Sequence, residues 1–445
     1  MKRFVILFVL MTMAATRGLA VAPDTLSSDK TKKGWNLGVL PSVLFNSDLG
    51  LQYGLLANVF NFGDGAYYPD YRYSFYTEWS RTTKGGGINQ FFFDSKYLLP
   101  WDLRITADLS VLTQQALDFY GFNGYESRYN ASWEDRGNTA YVSRMYYRLE
   151  RELARLDINL QKPLKGTPLS VLGGAGFFHV GIAPVNLSKL NRGLEGENII
   201  PDTAGLYERY TEWGLIGEDE KEGGKILMVK AGMVYDTRDQ EANPMKGIWS
   251  EALIAWCPSI DKKVNSYSKL VLIHSHYFTL VSNRLSIATR MGYQGTLWGK
   301  TPFYMQPYMI NSFPKTTTVD GLGGSRTIRG ILRNRVVGDG IAYGNLELRW
   351  KVLKTYFWRQ NFYLALSAFA DGGQVVKSHP VDWSRVPEAE LQNFRDAESD
   401  HLHMSWGLGL HFVMNQNFVI AVDYGKAFDS RDGKDGLYIG LNFLF

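Results

Sequence analysis

Residues 71–80 set Tyr71, Tyr73, Phe75, Thr77 and Trp79 on one side and Arg72, Ser74, Tyr76, Glu78 and Ser80 on the other. Residues 103–111 repeat the pattern, with Leu103, Ile105, Ala107, Leu109 and Val111 against Arg104, Thr106, Asp108 and Ser110. Residues 284–293 do so again, with Leu285, Ile287, Met291 and Tyr293 against Arg284, Ser286, Arg290 and Gly292. A side-chain period of two predicts strands with one apolar and one polar face. Strands of soluble sandwiches average about 5–6 residues. These run to about ten or more, the length of a tilted strand that crosses a membrane.

Alternating runs lie near 35–45, 49–62, 70–83, 86–98, 102–114, 139–163, 168–183, 225–236, 247–258, 266–281, 283–295, 341–353, 362–375, 403–413, 418–427 and 436–445. That is about sixteen, and bacterial barrels carry an even number. The run 139–163 slips in phase around Glu150–Glu152. It reads as one long strand with a bulge, with two strands as the alternative. Parity favours one strand. The long connections 115–138, 184–224, 296–340 and 376–402 then all follow odd-numbered strands, while 99–101, 164–167 and 414–417 follow even-numbered ones. Long loops on one side and short turns on the other is the outer-membrane pattern, with the long loops outside the cell. The expected fold is an all-β, transmembrane antiparallel β-barrel of about sixteen strands, residues 35–445.

Composition agrees with this. The chain is 14% aromatic with 45 glycines, its mean hydropathy is −0.20, and past residue 20 no apolar run is long enough for a membrane helix. Residues 1–20 read as a signal peptide, with Lys2 and Arg3 ahead of an apolar stretch and Gly18-Leu19-Ala20 at the cleavage site. Residues 21–34 form a short periplasmic segment. The single Cys257 excludes an internal disulfide. A net charge of +4 without a basic run argues against nucleic acid. No Gly-x-Ser-x-Gly elbow or phosphate loop points to an enzyme, and no cofactor or metal is expected. His401 and His403 lack a third ligand at recognisable spacing, and Asp236, Arg238 and Asp239 read as a charge-paired turn with Pro244 and Gly247.

Five segments, in order, carry more information: "YDTRDQEANPMKG" (235–247), "GGSRTIRGI" (323–331), "GNLELRW" (344–350), "AFADGGQV" (368–375) and "WGLGLHFVMNQNFVIAVDYGKAF" (406–428). Together they resemble the bacterial surface antigen family, the BamA-TamA-like outer-membrane assembly and translocation superfamily. Thr327, Ile328, Arg329, Gly330 and Ile331 resemble its Val-Arg-Gly-Phe/Tyr loop motif, with Ile331 in place of the aromatic residue. The resemblance implies that the sixth extracellular loop folds into the lumen and that Arg329 pairs with acids on the inner wall. Alternation makes Glu347 and Asp371 those acids, Asp371 first, and leaves Arg326 an ordinary loop charge.

Leu437, Ile439, Leu441, Phe443 and Phe445 are expected to share one face. A terminal strand of this kind resembles the signal read by the outer-membrane assembly machinery. The resemblance further implies residence in the outer membrane of a Gram-negative bacterium and contact with outer-membrane lipid. Residues 21–34 are too few for a POTRA domain, so a separate periplasmic partner protein is expected. Two functions stay open: assisting insertion or transfer of proteins or lipids, or a passive or plugged pore or structural barrel.

Overall fold

The computed structural model describes residues 31–445 apart from 47–49, 67, 69, 84, 313–319, 417 and 442. The signal peptide and most of segment 21–34 lie outside the described residues. The chain forms one sheet of 16 strands in which each strand pairs antiparallel with the next in sequence. The strands are β1 (Trp35–Asn46), β2 (Gly50–Asn61), β3 (Tyr73–Thr82), β4 (Gly87–Ser95), β5 (Arg104–Asp118), β6 (Arg148–Pro163), β7 (Leu169–Ala183) and β8 (Gly223–Asp236). They continue as β9 (Gly247–Cys257), β10 (Tyr267–Val281), β11 (Leu285–Gly299), β12 (Gly340–Phe357), β13 (Gln360–Lys377), β14 (His403–Met414), β15 (Phe418–Ala427) and β16 (Asp435–Leu441).

The two faces of the sheet are inverted relative to a soluble protein. On β12, Leu346, Leu348 and Trp350 are 51%, 41% and 50% exposed, while Asn345, Glu347 and Arg349 are 5% exposed or less. On β14, Met404, Trp406 and Leu408 are exposed and Ser405 is buried. Apolar side chains outside and polar ones inside is the arrangement a lipid solvent demands.

Two expectations need correction. The stretch 139–163 holds one strand, but it starts only at Arg148, and Tyr146 and Tyr147 ahead of it are buried among aromatic rings. The phase slip belongs to the partner strand, where the register shifts between Gln114 and Leu117. The last strand stops at Leu441. Leu437 and Ile439 face outward, but Phe443 is buried beside Tyr363, Ala365, Val413 and Val419. Phe443 and Phe445 therefore do not continue the outer face. Their rings lie on the arginines of the inner wall, contacts that the outward direction would forfeit.

The connections 119–147, 184–222, 300–339 and 378–402 meet above one end of the sheet. Phe119, Tyr147, Tyr210, Phe303, Trp383 and Phe394 from all four bury their side chains in one core. Aromatic rings each bury about 150–250 Å², so these loops hold together as a packed cap.

Candidate functional site: a loop arginine against the inward-facing wall

The connection 300–339, between β11 and β12, is tied inward at several of its described residues. Gln294 donates to the Tyr308 carbonyl at 2.7 Å, Arg151 bonds both oxygens of Asp320 at 2.8 and 2.7 Å, and Arg333 donates to Asp118 at 2.8 Å. Short bridges Tyr308–Asp320 and Leu322–Val336 close its arms. At its tip, the Thr327 hydroxyl donates to the Gly323 carbonyl at 3.0 Å and accepts from the Gly323 amide at 2.9 Å. Asn345 on β12 donates to the Thr327 carbonyl at 2.7 Å. Ile328 and Ile331 are fully buried with Met309, Leu322, Val336, Ile341, Tyr343 and Val375. An isoleucine in place of an aromatic residue thus packs into a mostly aliphatic cluster.

Gly330 permits the closest approach. Its φ is +93°, and a Cβ there would lie 2.5 Å from the Lys426 nitrogen of β15. A Cβ on the facing Gly425 would lie 2.7 Å from the Arg329 carbonyl carbon. Only paired glycines let the two backbones touch at this φ. The Gly330 amide donates to the Tyr438 hydroxyl of β16 at 2.9 Å.

That approach buries Arg329, which is 1% exposed. Its Nε and backbone amide donate to Asp371 Oδ2 at 2.9 and 3.1 Å, and its Nη2 donates to Asp371 Oδ1 at 3.1 Å. Nη1 donates to Glu347 Oε2 at 2.8 Å and lies 3.5 Å from Asp423 Oδ2. The guanidinium carbon sits 3.4 Å from the centre of the Phe369 ring. Burial alone would depress the guanidinium pKa. Glu347 and Asp371 more than offset this and hold it well above its usual value. Fork-shaped donors facing carboxylates on adjacent strands give the geometry that arginine, and not lysine, satisfies.

The structure brings Thr327, Ile328, Arg329, Gly330, Ile331, Asp371 and Glu347 together. Sequence reasoning missed Asp423 and Tyr438 and gave Phe369 no role. The same alternation would have found Asp423 and Tyr438, since Val422 and Tyr424, and Leu437 and Ile439, flank them on the opposite face. Arg326 is not an ordinary loop charge. It is half-buried, its carbonyl accepts from Arg290 Nη2 at 3.2 Å, and it lines an internal cavity of about 690 Å³.

That cavity is bounded at one end by Arg326 and Thr327 and at the other by the short turns, including Pro163, Arg238 and Glu241. Arg238 bonds Asp236 within the β8–β9 turn at 2.7 Å, and Glu241 of that turn reaches Lys96 and Arg104 at 2.8 and 3.0 Å. His403 is buried between Asp400 and Asp432 at 2.8 and 2.7 Å.

The family described as the Omp85 superfamily domain matches residues 89–445. The chain belongs to that superfamily, whose members are outer-membrane barrels. No curated protein matches the sequence. In fold, the chain is similar to BamA from Haemophilus ducreyi lacking POTRA domains 1–3, with a TM-score of 0.50 and 15% identity over 92% of this chain and 69% of that one. It is also similar to CdiB from Escherichia coli, with a TM-score of 0.50 and 12% identity over 91% of this chain and 61% of that one.

Proposed function

We propose that this barrel assists the insertion or transfer of proteins or lipids at the outer membrane, with the connection 300–339 folded into the lumen and held there by Arg329. The observation that supports this reading is the brevity of the last strand. β16 contributes seven residues to its ladder with β15, against 18 residues each in β12 and β13. Among the described residues no register joins β16 to β1. A strand edge with few ladder bonds is the one most readily opened to an incoming chain.

In this reading Thr327–Ile331 fixes the loop while the seam moves, and Asp371 and Glu347 are its anchor points. The long connections face outside and the short turns face the periplasm, where a separate partner protein delivers the client. The outer apolar face meets outer-membrane lipid, and the assembly machinery reads the C-terminal strand ending at Phe445 during biogenesis. The role is a non-catalytic one. Cysteine pairs placed across β1 and β16, with Cys257 replaced by Ser, test it: locking the seam abolishes the cellular function. A locked barrel that still supports growth would overturn it.

The packed aromatic cap over the long-loop end favours a second reading, a plugged passive pore. Planar-bilayer conductance that rises on Arg329→Ala supports that reading, and unchanged conductance removes it.

A further inference from the structure

The cavity of about 690 Å³ changes chemistry from one end to the other. The acidic residues that line it, Asp70, Asp102, Asp236 and Glu241, all lie at the short-turn end. There Lys96 pairs with Asp70 at 3.0 Å, Arg104 with Glu241 at 3.0 Å and Arg238 with Asp236 at 2.7 Å. Among the described residues, the only charged side chains lining the remainder are Arg290 on β11 and Arg326 at the loop tip. Ile273, Tyr277, Met309, Ile310 and Tyr343 line the cavity with them.

Arg290 is held differently from other arginines of the inward-facing wall. Arg104, Arg151, Arg155 and Arg349 each meet a carboxylate at 2.7 or 2.8 Å. Arg290 instead donates to the Asn345 amide oxygen at 2.8 Å and to the Leu444 and Arg326 carbonyls at 3.3 and 3.2 Å. Its guanidinium carbon lies 5.1 Å from the centre of the Tyr343 ring. These partners are neutral, so they hold the side chain without cancelling its charge. The carbonyl contact also sets Arg326 beside Arg290, two cations on one stretch of cavity wall. Burial lowers the Arg326 pKa and the Arg290 charge lowers it further, against the opposing effect of Tyr76 and Glu78. An anion relieves such a pair, and low-dielectric walls strengthen its attraction. Guanidinium forks match the oxygens of phosphate and carboxylate.

We propose that Arg290 and Arg326 form the head-group site of a pocket for an anionic amphiphile, a molecule with a phosphate or carboxylate head and an apolar tail. The tail lies along Ile273, Tyr277, Met309, Ile310 and Tyr343. Pockets of about 300–1,000 Å³ with apolar walls and a few orienting polar groups are the usual form of a small-molecule site. The mouth is the ring of partly exposed ion pairs at the short turns. The inference rests on the insertion or transfer reading and deepens it by naming a lipid-like class of cargo. The pocket also adjoins the loop anchor, since Asn345 accepts from Arg290 and donates to the Thr327 carbonyl at 2.7 Å.

The test is native mass spectrometry of the full-length barrel released from a non-ionic detergent, titrated with four probes. Lysophosphatidylglycerol and palmitate offer the two anionic heads, lysophosphatidylcholine a zwitterionic one, and glycerol 3-phosphate a head without a tail. A single adduct forms with lysophosphatidylglycerol, palmitate or both, at least about tenfold more tightly than with the zwitterionic lipid. Which of the two binds identifies the head group. Glycerol 3-phosphate binds at least about tenfold more weakly than the anionic lipid. Arg290→Gln removes the preference for an anionic head, with heat-modifiable mobility confirming that the barrel is folded. Arg326→Gln, on a different element, does the same and serves if the first variant misfolds. Equal binding of anionic and zwitterionic lipids overturns the proposal, as does glycerol 3-phosphate binding as tightly as the lipids. A preference that survives in a folded variant places the lipid on the outer face and overturns it too. The readout is binding alone, so its failure leaves the insertion reading standing, and a failed seam-locking experiment leaves this pocket standing.

Discussion

At the end carrying the long connections, Phe119, Tyr147, Tyr210, Phe303 and Trp383 bury their rings in one core. At the end carrying the short turns, Lys96, Arg104, Arg238 and Glu241 surround a cavity of about 690 Å³. The first end is stabilised by apolar burial, which is non-directional. The second is held by ion pairs whose members remain partly exposed, with Glu241 and Lys96 each 26% exposed. Such pairs are worth little individually and exchange readily with water or ligand. Arg329 stands between the two ends and joins the loop of the first to the strand wall above the second.

Breaking that junction has the largest effect. Arg329→Ala leaves Asp371 buried without its cation and Glu347 paired with Arg349 alone, and costs about 3 kcal/mol of stability. The measurement is the unfolding midpoint in detergent, with heat-modifiable mobility as the check on folding. Arg329→Glu impairs biogenesis more severely, and Asp371→Arg in the same chain partly restores it. If Arg329→Glu leaves the midpoint unchanged, the junction carries no load.

The cap can be loosened by acid. His379 lies within it, against the Phe122 ring at 4.5 Å, with its amide donating to Asn123 at 2.7 Å. Burial, opposed by Glu220 and Asp339, lowers its pKa from 6.5 to about 4. An unfolded histidine protonates as the pH drops below about 6.5, whereas the buried one resists until about 4. Its contribution is complete above about 6.5 and is lost between those values, amounting to about 3 kcal/mol. Chemical unfolding across that window shows the loss, and His379→Gln flattens that part of the profile. A wild-type profile identical to the variant's would show that the cap does not feel this proton.

The ionic ring at the other end responds least. Glu241→Gln removes the carboxylate that Arg104 and Lys96 share, at a cost of about 1 kcal/mol or less. In return, peptide or solute entry to the cavity speeds up. A stability loss as large as that of Arg329→Ala would erase the distinction between the two ends.

The strand pattern was legible because a pleated strand repeats every two residues, whatever it pairs with. Trp350, Leu348 and Leu346 announce the lipid face of β12, and the same count places Glu347 and Asp371 inside. Applied to β15 and β16, it would also have placed Asp423 and Tyr438 inside. It misled ahead of Arg148, where the adjacent Tyr146 and Tyr147 belong to the cap, and at Phe443 and Phe445, where the chain has already left the sheet. An alternating segment carries no information about where its ladder stops.

The sequence by itself therefore determined the strand count, the meander order, the inversion of polarity and the glycine-framed arginine. These are properties of neighbouring residues and of the solvent on each face. The tertiary structure alone decided that one arginine meets three carboxylates 18, 42 and 94 positions away, that Gly330 rests on Gly425, and that the final aromatics turn inward onto Arg290 and Arg349. Those outcomes depend on which strands curve close enough to share a buried charge, and curvature is a property of the whole sheet.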